Sequence, residues 1–295
     1  MDQTTEKMIT ADWGSTNLRA SLIAEDGAVI DRREAPLGIR SVGERSFESI
    51  MEEVCGDWLG RGLPVLLSGM IGSREGWVEV PYVDTPAGTT EIAAALHRFD
   101  SEIAIVPGLR HLNENGTADV MRGEETQVLG ALAQTGPDAL ICIPGTHSKW
   151  ILCRDGQVSA FRTWVTGEAF ELLSKSPLLA KGNAADPDGD AFLRGLDHSN
   201  LDGGMLHQIF LGRTDMLMGK IDAADLPSLL SGILIGGEIR EAINWAETDG
   251  GVALFGAGET VLRFYERAFA HFGLKSQRLD GDLQAAGAFR LQNSE

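Results

Sequence analysis

The sequence predicts an α/β protein of two lobes, each with the element order βββαβαβ, around a central cleft. Two observations support this fold class. The same succession of strands, tight turns and helices occurs twice along the chain, and a turn of small residues follows the first strand of each copy. We expect an N-terminal lobe over residues 1–115 and a C-terminal lobe over residues 116–295.

The first copy opens with three short strands joined by tight turns. Gly14-Ser15-Thr16 makes the first turn, and Asp26-Gly27 is a typical hairpin signal. Helical and apolar stretches then alternate. The predicted strands cover residues 8–13, 18–24, 28–31, 64–68 and 102–106, and the predicted helices cover residues 47–59 and 90–99.

The second copy repeats this pattern from residue 139. The distance from the turn at Pro144-Gly145-Thr146 to the hairpin at Asp155-Gly156 is nearly that found in the first copy. The alternative is that two hairpins of a single α/β domain share this spacing by accident. The predicted strands cover residues 139–143, 149–153, 158–164, 252–255 and 275–279, with a mostly helical region up to about residue 246 and helices at 259–272 and 283–289.

Composition limits the partners. The 295 residues include 25 basic and 43 acidic side chains, for a formal charge of −18, which disfavours nucleic acid and anionic membrane. Cys55, Cys142 and Cys153 lack metal-ligand spacing and are expected to be buried, reduced thiols. The polar start of the chain predicts no signal peptide, and no apolar run reaches the roughly 18 residues of a membrane span. We therefore expect a soluble cytoplasmic protein; a homo-oligomer stays open.

Three turns of small residues are candidates for phosphate or nucleotide binding. Asp12 ends a strand before a turn of hydroxylated residues, where backbone N–H groups can bind phosphate and the carboxylate can hold Mg²⁺. For each turn alone, a plain tight turn is the alternative. The chain contains neither a P-loop nor a protein-kinase glycine loop. The candidate ATP- and phosphate-binding residues are Gly14, Ser15, Thr16, Asn17, Gly145, Thr146, His147, Gly256, Ala257 and Gly258.

These turns carry a resemblance. The runs at 12–17, 144–147 and 254–258 resemble the two phosphate motifs and the adenosine motif of the actin/hexokinase/Hsp70 superfamily. The whole chain resembles the 2-dehydro-3-deoxygalactonokinase family, above all in Met121-Arg122-Gly123-Glu124-Glu125-Thr126-Gln127 and Ser68-Gly69-Met70-Ile71-Gly72-Ser73. The resemblance implies ribonuclease-H-like lobes, ATP and Mg²⁺ as cofactors, and phosphorylation of 2-dehydro-3-deoxy-D-galactonate at its 6-hydroxyl in galactonate catabolism.

A carboxylate is needed to accept the proton of the attacking hydroxyl. Residues 123–127 resemble the Gly-Asp-Gln-Gln segment of glycerol kinase, in which Asp is the base. On that pattern Glu124 matches the base and Glu125 its neighbour, although a glutamate is one methylene longer. The alternative is that both glutamates only complement the helix dipole. We name Asp12, Glu124 and Glu125 as candidate catalytic residues, with Asp12 as metal ligand.

A sugar-acid substrate needs a cationic partner for its carboxylate, and in so acidic a chain this partner should be local. For each cation a surface ion pair is the alternative. The sequence does not distinguish sugar-acid epimers. The candidate substrate-binding residues are Gly69, Met70, Ser73, Arg74, Trp77, Arg122, Lys149 and Arg162.

Two other classes of protein remain open. One is an ATP-driven conformational protein of the same superfamily, and the other is a phosphohydrolase related to exopolyphosphatases. A kinase for a related sugar acid or sugar is a third alternative. Nucleotide hydrolysis that depends on a sugar acid would distinguish the kinases from the rest.

Overall fold

The structure is a computed structural model that describes residues 5–99, 102–176, 184–247 and 251–294. The chain divides into two compact units. The first comprises residues 1–138, 153–160 and 280–295, and the second comprises residues 139–152 and 161–279. Compared with the division predicted at residue 115, the first unit also includes residues 116–138, residues 153–160 and the C-terminal helix.

The first unit is built on a six-stranded sheet in the order β3-β2-β1-β4-β7-β6. Its first three strands form an antiparallel meander, and the fourth and seventh continue it in parallel. The strands up to residue 121 are β1 (Glu6–Trp13), β2 (Leu18–Ala24), β3 (Val29–Ala35), β4 (Val65–Ser68), β5 (Val83–Asp84), β6 (His97–Arg98), β7 (Ile103–Ile105), β8 (Leu109–Leu112) and β9 (Ala118–Met121).

The second unit is built on a five-stranded sheet in the order β12-β11-β10-β13-β14. Its strands are β10 (Ala139–Ile143), β11 (Ser148–Arg154), β12 (Gln157–Trp164), β13 (Val252–Leu254) and β14 (Ser276–Arg278). When the short β6 is left out and the remaining strands of each sheet are numbered along the chain, both sheets have the spatial order third, second, first, fourth, fifth. The predicted α/β fold with a duplicated unit is confirmed; the cleft stays a prediction.

The helices of the described residues follow the predicted pattern with one clear difference. The helix predicted over residues 90–99 ends at Ala94, because His97 and Arg98 pair antiparallel with β7. The helices are α1 (Phe47–Leu59), α2 (Thr89–Ala94), α3 (Glu124–Thr135), α4 (Thr166–Ser174), α5 (Asp190–His198), α6 (Gly204–Leu217), α7 (Leu226–Ala246), α8 (Glu259–His271) and α9 (Leu283–Gln292).

Each unit has its own apolar core. In the first, α1 covers the large sheet, and Trp13, Ile50 and Trp58 are fully buried together. In the second, Trp150 of β11 and Phe269 of α8 pack edge to face. Within the described part of the chain, no helix combines the length and the apolar character that a membrane span requires.

The C-terminal helix α9 belongs to the first unit because it packs closely against α3. A Cβ atom at Gly287 would lie 1.8 Å from the carbonyl oxygen of Thr126, and a Cβ at Gly130 would lie 2.0 Å from that of Leu283. Only glycine permits so close an approach of two helix backbones. Arg290 adds a hydrogen bond of 3.0 Å to the carbonyl of Leu129.

Candidate active site

The first phosphate turn follows β1 and is held from behind by a neighbouring segment. The carbonyls of Gly14, Ser15 and Thr16 accept hydrogen bonds from the backbone N–H groups of residues 38–40. A Cβ atom at Gly38 would lie 2.2 Å from the amide nitrogen of Thr16, so the two backbones touch. The turn is therefore fixed, with Thr16 exposed and Ser15 and Asn17 partly exposed.

Three predicted elements converge on the carboxylate of Asp12. A Cβ atom at Gly69 would lie 2.9 Å from Asp12 Oδ1, and one at Gly123 would lie 3.8 Å from the same oxygen. Both glycines have a positive backbone φ, 89° for Gly69 and 108° for Gly123, which residues with a side chain rarely adopt. The end of β1, the loop after β4 and the turn before α3 therefore meet at one point.

Asp12 and Glu124 are electrostatically coupled. Burial raises the pKa of Asp12 to about 6, Arg19 opposes the rise, and the nearby charge of Glu124 adds to it. The Glu124 carboxylate also accepts a hydrogen bond of 3.1 Å from the backbone N–H of Arg122 and is only partly buried. Two neighbouring acids with partial access to solvent form the acidic part of the candidate site.

Glu125 occupies a different environment from Glu124. Its side chain is fully buried, and burial, with the Glu124 charge, raises its pKa to about 8. One carboxyl oxygen accepts the N–H of Gly123 at 2.6 Å, and the other accepts the Thr126 hydroxyl at 3.2 Å. Glu125 is thus enclosed in the first unit, where it caps the start of α3.

The predicted substrate-binding residues between Gly69 and Trp77 differ in their exposure to solvent. Trp77 stacks between Phe47 and Phe99, and Met70 packs on the core, so both contribute to the apolar interior. The side chain of Arg74 is 86% exposed and lies 3.4 Å from Glu79. The hydroxyl oxygen of Ser73, in contrast, is buried and has no hydrogen-bond partner among the described residues.

Arg122 lies beside this loop. Its guanidinium stacks 4.3 Å from the ring centroid of Tyr82, and Nη2 donates to the carbonyl of Val80 at 2.7 Å. Nε and Nη1 are buried, and neither finds an acceptor in the described part of the chain. Nη1 is 2.9 Å from the position of a Cβ atom at Gly72, the residue before Ser73. The buried donors of Arg122 that lack an acceptor therefore lie beside the segment Gly72-Ser73, which carries the unpartnered Ser73 hydroxyl.

The second unit brings the other two turns together. Both the turn between β10 and β11 and the turn between β13 and α8 line one cavity of about 400 Å³. This volume is within the range of small-molecule sites. The predicted residues on its wall are Gly145, Thr146, Gly256, Ala257 and Gly258.

The remaining predicted cations and His147 have other partners. His147 Nε2 lies 2.7 Å from a carboxylate oxygen of Glu168, and both side chains are about half exposed. Lys149 is buried in β11. Arg162 is exposed and stacks on Trp245, with 5.1 Å between the guanidinium carbon and the ring centroid. Among the described residues, no group of three or more His, Cys, Asp or Glu side chains could hold a metal ion.

The sequence profile of the 2-keto-3-deoxy-galactonokinase family matches residues 12–291. The chain belongs to this family. The match begins at Asp12 and ends within α9, so it spans every candidate site residue of the chain. The predicted family membership, and with it the class of kinases that phosphorylate an alcohol, is confirmed.

Full-length relatives support the assignment. The 2-dehydro-3-deoxygalactonokinase of Escherichia coli K12 is 34% identical to this chain over 279 residues, which cover 94% of each protein. A relative from Rhizobium meliloti, named as a probable enzyme of the same kind, is 36% identical and covers 92% of this chain and 91% of its own.

Solved structures agree on the fold. A crystal structure from Sinorhizobium meliloti, described provisionally as a 2-dehydro-3-deoxygalactonokinase, superimposes on this structure with a TM-score of 0.85, 33% identity and 97% coverage of each chain. Component A of (R)-2-hydroxyglutaryl-CoA dehydratase from Acidaminococcus fermentans has a TM-score of 0.54 at 12% identity, which shows a shared fold alone.

Sequence reasoning missed two features of the site. The three-stranded sheet of β5, β8 and β9, next to which Tyr82 supports Arg122, had no recognisable pattern because its strands are two to four residues long. Glu238, a fully buried glutamate on α7, accepts a hydrogen bond from Tyr265 of the cavity wall, but it appears in the sequence as part of an apolar helix and no local signal indicates this contact.

Proposed function

We propose that this protein transfers the γ-phosphoryl group of ATP to the 6-hydroxyl of 2-dehydro-3-deoxy-D-galactonate, a step of galactonate catabolism. The names of the relatives at 34% and 36% identity support this substrate. The observation that carries the proposal is the convergence of Asp12, Gly69 and the Gly123-Glu124 turn on one carboxylate site.

The cavity of the second unit is the proposed nucleotide site. It is mostly lined by small or apolar groups, and the glycines at 256 and 258 leave backbone open to a ligand because no side chain covers it. We assign the adenosine moiety to residues 256–258 and a phosphate to Gly145 and Thr146.

Asp12 is the proposed ligand of Mg²⁺. The fit rests on its donor chemistry: burial, together with the nearby Glu124 charge, raises the pKa of this half-buried carboxylate to about 6, and a divalent cation would stabilise its charged form. Mg²⁺ is commonly held by one or two carboxylates together with substrate phosphates, and it neutralises charge on the transferring group when bound.

Glu124 is the proposed base. As the substrate oxygen bonds to phosphorus and the bond to ADP breaks, Glu124 would accept the hydroxyl proton. Its partial exposure favours it over Glu125, which is enclosed and held by Gly123 and Thr126.

Kinetics of two isosteric variants test the base. Glu124→Gln should lower kcat by about 10²–10⁴-fold with little change in KM, because general-base help is made mainly in the transition state. Glu125→Gln is the matched control and should lower kcat much less than Glu124→Gln does. A reversed order would make Glu125 the base, and wild-type kcat in both variants would refute the mechanism.

Arg122 is the proposed partner of the substrate carboxylate. Its buried Nε and Nη1 donors lack an acceptor among the described residues, which is costly, and a carboxylate is the ligand that their geometry fits best. Ser73, with its unpartnered hydroxyl, would donate to the same group. Arg74 is a weaker candidate since its side chain is exposed and already faces Glu79.

Discrimination between an acid and its neutral amide tests this assignment. Wild-type enzyme should prefer the sugar acid over its C1 amide, and Arg122→Met should lose about 10-fold or more of that preference in kcat/KM. Arg74→Met is the matched control and should keep the wild-type preference for the acid over the amide. Equal loss in both variants, or loss in Arg74→Met alone, would contradict the assignment.

A further inference from the structure

Glu238 is an acid in the middle of the long apolar helix α7. Its side chain is completely buried, and burial raises its pKa. Oε1 accepts the indole N–H of Trp150 at 2.8 Å, and Oε2 accepts the hydroxyl of Tyr265 at 2.8 Å. The side chain of Thr166 is a further hydrogen-bond partner. This carboxyl group is therefore fully satisfied by side chains from outside its own helix.

The partners of Glu238 come from the elements that form the proposed nucleotide cavity. Trp150 lies on β11, which begins directly after the turn that contains Gly145 and Thr146. The hydroxyl of Tyr265, on α8, is also 2.9 Å from that of Ser148, the first residue of β11. Both Thr166 and Tyr265 line the cavity itself.

The start of α4 links the network to the phosphate turn by direct backbone contact. A Cβ atom at Gly167 would lie 2.4 Å from the carbonyl oxygen of Gly145 and 2.9 Å from the Cα of Thr146. The N–H of Glu168 donates to the carbonyl of Thr146 at 3.0 Å. A displacement of Thr166 would therefore move the turn.

We propose that Glu238 is a positioning residue for ATP, which holds β11, α4 and α8 at the spacing that the nucleotide requires. This inference rests on the proposed function, which assigns ATP to the cavity. An apolar side chain would fill the core without the cost of burying a carboxyl group. A satisfied polar network, in contrast, specifies one arrangement of the elements that it joins.

The substitution Glu238→Gln keeps the volume of the side chain but replaces an acceptor oxygen by an NH₂ group, so one of the hydrogen bonds from Trp150 or Tyr265 must change. We expect KM for ATP, and Kd for a non-hydrolysable ATP analogue measured by calorimetry, to rise about threefold to tenfold. KM for the sugar acid should stay within about twofold. Tyr265→Phe should produce a similar rise, and the double variant should show less than the product of the two effects, because both remove the same connection.

Gln208→Leu provides the matched control for a loss of stability alone. Gln208 is buried in the same unit, outside the cavity, and donates to the carbonyls of Ser199 at 3.1 Å and Leu201 at 2.6 Å. The Gln208→Leu substitution should lower the melting temperature of the protein without changing its affinity for the ATP analogue.

The outcomes separate this inference from the assignment of the cavity. If wild-type protein binds the analogue and Glu238→Gln binds it equally well while losing thermal stability as Gln208→Leu does, Glu238 serves folding alone and the inference is overturned. If wild-type protein does not bind the analogue, the proposed nucleotide site itself fails, and the inference fails with it.

Discussion

Burial of Glu125 should make the stability of the protein depend on pH. Its pKa rises from the ordinary 4.5 to about 8 because the side chain is fully buried. At a pH between these two pKa values, Glu125 is deprotonated in the unfolded chain and protonated in the folded chain. The folded state then binds more protons than the unfolded state, so the free energy of unfolding falls as pH rises.

The size of the effect follows from the two pKa values. At about 1.36 kcal/mol per pH unit, the difference corresponds to roughly 5 kcal/mol, present in full below pH 4.5 and lost by about pH 8. Glu125→Gln cannot ionise. The free energy of unfolding of the wild type relative to this variant should therefore fall by roughly 3–4 kcal/mol between pH 5 and pH 8.

Urea unfolding of both proteins at pH 5, 6, 7 and 8 measures this difference. Glu48→Gln, on the exposed first turn of α1, is the matched control and should stay within about 0.5 kcal/mol of the wild type throughout. A constant difference between wild type and Glu125→Gln across this range would show that Glu125 ionises in the folded protein as it does in the unfolded chain. Burial would then not raise the pKa of Glu125, and Glu125 would again be a candidate base.

Two further perturbations have defined outcomes. Asp12→Asn should lower kcat by about 10²-fold or more and raise the Mg²⁺ concentration needed for half activity, because the proposed metal ligand is lost; near-normal turnover in a magnesium titration would remove Asp12 from the metal site. Gly287→Ala should destabilise the protein by about 3 kcal/mol in thermal unfolding, since its Cβ would lie 1.8 Å from a backbone oxygen of α3. Gly60→Ala, whose Cβ would lie 3.7 Å from the nearest oxygen, is the control, and equal effects of the two would contradict the close packing of α3 and α9.

Local patterns predicted most of the strands and turns. The helix at Phe47–Leu59 and the strands at Leu18–Ala24 and Ala139–Ile143 have the predicted bounds, because capping residues, hairpin turns and apolar runs are local signals. The helix prediction for residues 90–99 was too long, since pairing with β7 outweighs helix propensity at His97 and Arg98.

The parts of the site that could not be predicted depend on distant contacts. The sequence offers Arg74 and Arg122 as equivalent cations, and only the fold makes the first exposed and leaves the second with unpaired buried donors. Glu124 and Glu125 are adjacent, and their different burial follows from the rotation of α3 against its neighbours. The packing of α9 against α3 brings together residues about 160 positions apart in the chain, and the sequence contains no local pattern for such a contact.

The packing of α9 on α3 ties the start of α3 to a segment that is remote in the sequence. Gly287 and Leu283 of α9 lie against the backbone of the helix that begins with Glu124 and Glu125. A substitution on α9 can therefore shift the start of α3, so that a distant helix constrains where the two glutamates lie.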